Sequence, residues 1–178
     1  MDTGLLVLRL VLGFLLIGHG AQKLLGWFGG PGLAGTGGFF HSLGFRPGKL
    51  MAAVAGISEA GAGLFLVLGL LTPFASAAVI GTLLVAGSVH LGAGLWAQSG
   101  GYELSLLYVV AAVLFAFTGP GAYSLDNALG LDWLAGIGWG VAAVALGAVS
   151  GLAVVARGRR VLAGDPAVPD PVAQDVPA

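Results

Sequence analysis

Residues 60–102, AGAGLFLVLGLLTPFASAAVIGTLLVAGSVHLGAGLWAQSGGY, run for 43 residues without one Asp, Glu, Lys or Arg. As a single helix they would be about 64 Å long, twice the roughly 30 Å of hydrocarbon in a bilayer, so the segment must fold back within a membrane. Thr72-Pro73 is the expected turn, because proline has no N–H to give and disfavours helix in the residue before it. One span is then expected over about 50–71 and the next over about 74–97.

The reading extends outward in both directions. The apolar run 5–25 rises about 32 Å as a helix and crosses once. Residues 26–47 are glycine-rich and carry Trp27, Phe28, Phe39, Phe40 and Phe45, which suits an interfacial or re-entrant loop too broken to span. Beyond the central stretch, Gln98-Ser99-Gly100-Gly101 is a turn, 102–118 a short fourth span ending at Gly119-Pro120-Gly121, and 122–132 a water-facing loop with Asp126 and Asp132. Residues 133–156 carry no charge and form a fifth span, with Gly136-xxx-Gly140 and Gly147-xxx-Gly151 at the spacing that lets helices approach closely. The remainder, 157–178, begins with Arg157-Gly158-Arg159-Arg160, turns Pro- and Asp-rich, and reads as a disordered tail.

Composition agrees. Of 178 residues, 57% are hydrophobic and 15 (7 Lys+Arg and 8 Asp+Glu) are charged, too few to cover a water-soluble surface. The net charge of −1 argues against a nucleic-acid partner, since phosphate binding needs a basic face and only Arg157, Arg159 and Arg160 cluster. With no cysteine the chain has no disulfide or thiol chemistry of its own, so any redox role needs a borrowed cofactor. The N-terminus does not read as a cleaved leader: Asp2 stands in the basic region and Arg9 interrupts the apolar run. Five spans place Lys23, Arg46, Lys49, Arg157, Arg159 and Arg160 at one side and Arg9 at the other, so the positive-inside rule gives N-out, C-in.

A charge inside hydrocarbon costs roughly 2.5–3.5 kcal/mol on insertion scales, which makes each ionisable group in a span a functional candidate. Arg9, His19, Gln22 and Lys23 form one polar stripe on the first helix and are expected to face the bundle, meeting Glu59 and His90 from the next two. Glu59 is the expected counter-charge to Arg9 or protonated His19, with His90 sharing its proton. Ordinary readings compete: Arg9 and Lys23 suit snorkelling from opposite helix ends, and Glu103 suits a helix N-terminus. Glu59 is hardest to explain away, being near mid-depth with no charged neighbour for nine residues before it. No metal site is expected from two histidines and a glutamate on three helices. Gly30-Pro31-Gly32-Leu33-Ala34-Gly35 matches a dinucleotide fingerprint by chance only, since no strand precedes it.

Read in order, Arg9-Leu10-Val11-Leu12-Gly13, Gly18-His19-Gly20-Ala21-Gln22-Lys23-Leu24, Gly37-Gly38-Phe39-Phe40, Glu59-Ala60-Gly61-Ala62-Gly63, Gly69-Leu70-Leu71-Thr72-Pro73, Gly101-Tyr102-Glu103 and Gly119-Pro120-Gly121-Ala122-Tyr123-Ser124-Leu125-Asp126 resemble the pattern of the DoxX family of small bacterial membrane proteins. The resemblance implies an all-α integral membrane protein. Its four-helix transmembrane bundle would lie within 1–130, with 131–156 an additional fifth C-terminal transmembrane helix. It also implies a bacterial plasma-membrane location and a redox setting, since relatives include a subunit of a thiosulfate to quinone oxidoreductase and a membrane partner of a superoxide dismutase and a sulfurtransferase. Quinone is the cofactor it points to, membrane or peripheral redox proteins the partners, and Arg9, His19, Gln22, Lys23, Glu59, Tyr102, Glu103, Tyr123 and Asp126 the matching polar positions. Ser124 belongs to the same loop motif.

The expected function is a redox- or quinone-associated membrane subunit or scaffold in the lipid bilayer, not a stand-alone enzyme, with a homo-oligomer open. The alternatives are a small proton-coupled transporter or channel and a membrane assembly protein without chemistry of its own.

Overall fold

The computed structural model describes residues 1–165 and is all-helical. Seven α-helices follow one another: α1 (Asp2–Leu25), α2 (Gly32–Ser42), α3 (Gly48–Leu68), α4 (Thr72–Val89), α5 (Glu103–Thr118), α6 (Leu125–Ala128) and α7 (Ile137–Ala163). α1, α3, α4 and α7 are each long and apolar enough to cross a membrane. α5 rises only about 24 Å but still runs from end to end of the bundle. At its start Tyr102 and Ser105 lie against Gly87 of α4, and just past its end Gly121 packs on Asp2 and Leu5 of α1.

α4 is the central helix, half of it buried, with α3, α5 and α7 packed around it and α1 packed on α3. The α1–α3 pair is antiparallel and closed by small residues: a Cβ on Gly13 or Gly63 would come within 2.6 Å of the other's carbonyl oxygen, and one on Gly20 within 2.6 Å of that of Gly56. Without a hydrophobic drive between helices in lipid, such backbone approach supplies the dispersion contacts that hold them. The core is Leu12, Leu16, Leu66, Val79, Ile80, Ala112 and Phe115. The outside is as apolar as the inside: Val7, Val11 and Phe14 on α1, Ile57 and Leu64 on α3, Leu107 and Val110 on α5, and Val149 and Leu152 on α7 are all exposed. A surface of that kind is stable in hydrocarbon and not in water.

Three expectations are corrected. The break between the second and third spans falls earlier than Thr72-Pro73: α3 ends at Gly69 and α4 starts at Thr72, with Pro73 in its first turn, where the missing N–H costs nothing. α4 stops at Val89 rather than near 97, because Gly92, Gly94, Gly100 and Gly101 weaken helix and the chain folds on itself, Tyr102 N–H donating to Gly94 O and Glu103 N–H to Leu95 O. The 26–47 segment, expected as an interfacial or re-entrant stretch too broken to span, holds the 11-residue α2, too short to cross. α7 continues through Ala163, so Arg157, Arg159 and Arg160 are helical, as suits good helix formers whose charge favours a helix C-terminus. The expected tail beyond residue 165 lies outside the described residues.

Candidate functional site

The polar residues of the spans separate into two centres at opposite ends of the bundle. At one end Lys23 of α1 meets Glu59 of α3, its Nζ donating to Oε1 at 2.9 Å and to Oε2 at 2.6 Å. The Glu59 side chain is 3% exposed and that of Lys23 22%, so the carboxylate is enclosed and the ammonium closes over it. Side chains on a helix lean toward its N-terminus. In the antiparallel pair this carries Lys23 inward and Glu59 toward the lysine end, which bridges their offset along the bundle. Snorkelling would have sent Lys23 the other way.

Beside this pair α1 and α5 add a polar seam. His19 Nδ1 lies 3.2 Å from Gln22 Oε1, Gln22 Nε2 donates to the Phe28 carbonyl at 3.4 Å, and the imidazole stands edge-on to the buried Tyr108 ring with centroids 5.9 Å apart. Tyr108 was missed in the sequence, although a phenol inside an apolar helix was itself a signal.

Lys23 and Glu59 form part of the wall of a cavity of about 400 Å³. Its floor is the small-residue face of α4, including Ala77, Ala78 and Gly81, and its sides come from α3, α7 and the aromatic residues of the 26–47 segment. Apart from the ion pair, its polar lining is Ser58, Thr82, Ser150 and, at the far end of α4, His90. A volume in the range of small-molecule sites, a mostly apolar wall and a few converging polar groups are the general marks of a ligand pocket.

His90 does not share a proton with Glu59, as had been expected. It is exposed at the C-terminus of α4 with Nδ1 2.9 Å from the Gly100 carbonyl, an arrangement in which Nδ1 carries the hydrogen and Nε2 is free to accept in the neutral ring. Glu103 accepts the Ala97 N–H at 2.9 Å and pins the loop before α5, the helix-end role weighed for it, while Tyr102 is the N-cap residue of α5. Neither belongs to the Lys23–Glu59 cluster.

Arg9 sits at the opposite end, fully buried, and not beside Glu59. Its Nη2 donates to the Tyr123 carbonyl at 2.5 Å, and its guanidinium lies so close over Gly69 that no side chain fits there. Asp126, expected in a water-facing loop, is 2% exposed. Its Oδ1 accepts the Leu71 N–H at 2.7 Å, and its Oδ2 accepts the Thr72 N–H at 3.0 Å and the Thr72 hydroxyl at 2.7 Å. It thereby caps α4 from another part of the chain, a carboxylate at a helix N-terminus. The cap also holds Leu71 at φ 47, a left-handed conformation that a leucine adopts only when its surroundings impose it. Ser124 caps α6 by accepting the Asn127 N–H at 3.2 Å, and Tyr123 contributes only its carbonyl, its ring being exposed. A recess of about 220 Å³ here is edged by Asp126 and Asp132, but Asp126 is engaged by α4 and Asp132 accepts from Asn127 at 3.1 Å. No cluster of metal-ligating side chains occurs among the described residues.

No solved structure matches the chain. It is 33% identical over 133 residues to inner membrane protein YqjF of Escherichia coli (strain K12), an alignment covering 74% of this chain and 96% of that protein. The DoxX family model matches residues 4–91, which run from the first turn of α1 to just past α4 and include both members of the Lys23–Glu59 pair and His90. The chain is a multi-pass membrane protein and belongs to the DoxX family.

Proposed function

We propose that the protein is a redox-associated membrane subunit that holds a quinone-type carrier, with the apolar part in the cavity and the ring oxygens toward Lys23 and Glu59. The observation that carries this reading is a buried acid–base pair in the wall of an otherwise apolar cavity. A quinone carbonyl needs a donor, which the ammonium supplies; a quinol hydroxyl needs an acceptor, which the carboxylate supplies. The role is binding and proton handling, with electrons exchanged by a membrane or peripheral redox partner, since the chain has no cysteine.

A transporter is disfavoured by the arginine end, where Arg9, Tyr123 and Asp126 knit α1, α4 and the loop after α5 together and none of the three lines the 400 Å³ cavity. The proposed setting is a bacterial plasma membrane with the N-terminus outside and the C-terminus in the cytoplasm, because Lys23, Arg46, Lys49, Arg157, Arg159 and Arg160 lie at the lysine end. Reporter fusions at the two termini test that orientation. For the function, wild type and Glu59→Gln are extracted in mild detergent and co-purifying quinone is quantified by mass spectrometry. Quinone retained by wild type and largely lost by the variant is expected; wild-type protein that neither retains quinone nor binds added decylubiquinone sinks the reading.

A further inference from the structure

The cavity has a side. α3 and α7 both pack on α4 but scarcely on each other, so they stand as two walls of a cleft with α4 as its floor. At the lysine end the cleft is closed: the Phe45 ring is wedged against Gly158 of α7, leaving no room for a Cβ there, and stands edge-on to Phe40 at 5.8 Å. Arg46 ties to Asp165 just past α7. Laterally it is open. Val54 of α3 and Val154 of α7 both line the cavity, yet they are 51% and 37% exposed. Val54 lies about 9 Å along α3 from Gly48, and Val154 about 14 Å along α7 from Ala163, which sets the mouth within the hydrocarbon and away from the aqueous ends. The cavity-lining face of α4 from Ala77 to Val89 extends about 18 Å, long enough for a chain and not only for a ring.

Resting on the quinone reading above, we infer that the occupant comes from the bilayer itself: its ring lies toward Lys23 and Glu59, and its apolar tail lies in the α3/α7 slot on α4 and leaves between Val54 and Val154. α7 supplies one wall through Ser150, Gly151 and Val154. It is seated by Gly147 and Gly151, whose added Cβ atoms would come within 2.7 Å of the Ala77 and Gly81 carbonyl oxygens. This helix, like α5, lies outside the segment matched by the family model, so the tail slot is not built from the matched helices alone.

The test compares two probes on full-length protein in detergent: decylubiquinone, and ubiquinone-0, the same ring without a tail. Wild type is expected to bind decylubiquinone roughly ten-fold tighter or more, the gain from burying about two methylenes. Val154→Trp and, separately, Val54→Trp fill the mouth and should abolish that advantage while leaving ubiquinone-0 affinity unchanged; Val154→Ala should keep it. Equal binding of the two probes by wild type, or an advantage that survives both tryptophans, overturns the slot and leaves the ring site standing. Binding of neither probe by wild type overturns the quinone reading and the slot with it. The wild-type comparison decides even where a tryptophan variant fails to fold.

Discussion

The two ends of the bundle solve the problem of burying charge in opposite ways. At the arginine end the charged groups are spent on backbone: Arg9 on the Tyr123 carbonyl, Asp126 on two N–H groups and a hydroxyl at the start of α4. At the lysine end the charges face each other, and the pair also faces a cavity. The difference teaches that depth in the membrane does not mark a residue as functional. Arg9 is the more deeply buried cation, yet its hydrogen bond to the Tyr123 carbonyl makes it a clasp between α1 and the loop after α5. Among the described residues Lys23 and Glu59 engage no backbone group across the bundle, and the space beside them is open to a ligand.

That contrast can be broken at either end. The largest effect is expected from Lys23→Met, which leaves the Glu59 carboxylate enclosed without its counter-charge and should cost about 3–5 kcal/mol of stability. The double variant Lys23→Met/Glu59→Leu should recover most of that in thermal unfolding in detergent but should not recover decylubiquinone binding. Recovery of both would make the pair purely structural.

Gly69→Ala comes next. A methyl group there collides with the Arg9 guanidinium at a position with φ 62, and a loss of about 2–4 kcal/mol is expected from the strain and displaced clasp. The same thermal scan measures it, and binding per folded molecule should be unchanged; a selective loss of binding would erase the distinction between the ends. Asp126→Asn keeps one acceptor but turns an amide toward the N–H groups at the start of α4, with an expected cost of about 1–3 kcal/mol. Hydrogen exchange at Leu71 and Thr72 should accelerate before that of α3. The smallest effect is expected from Arg46→Ala: the Arg46–Asp165 pair is partly exposed, at 34% and 16%, and its removal should change stability by less than about 1 kcal/mol. A larger loss would mean that this latch holds α7, and with it one wall of the cavity.

Much of this architecture was legible in the chain because hydrocarbon imposes a simple rule. Forty-three uncharged residues must fold back, and Thr72-Pro73 marks where to within three residues of the break that starts at Gly69. The helix ends were less legible. α4 ends eight residues before the expected 97, because tertiary hydrogen bonds from Tyr102 and Glu103 hold the following glycine-rich chain as a folded loop. The site was half legible. Glu59 was singled out by its isolation, but Arg9 and His19 were favoured as its partner because Lys23, on the same helical stripe, sits near the helix end and suits snorkelling. Distances along one helix say nothing about which neighbour a long side chain can reach. Asp126 read as solvated because its local sequence is a loop, and Tyr108 went unnoticed in an apolar run.

What the sequence by itself determined is the solvent of this protein and the number of its crossings, since both follow from counting apolar and charged residues along a line against the thickness of a bilayer. What only the tertiary structure decided is which charge meets which, and that α3 and α7 stand apart over α4 to leave a cavity. Those depend on contacts between residues tens of positions apart, such as Lys23 with Glu59 and Gly81 with Gly151: a spacing such as Gly147-xxx-Gly151 offers a close-packing face, but only the packed bundle decides which helix meets it.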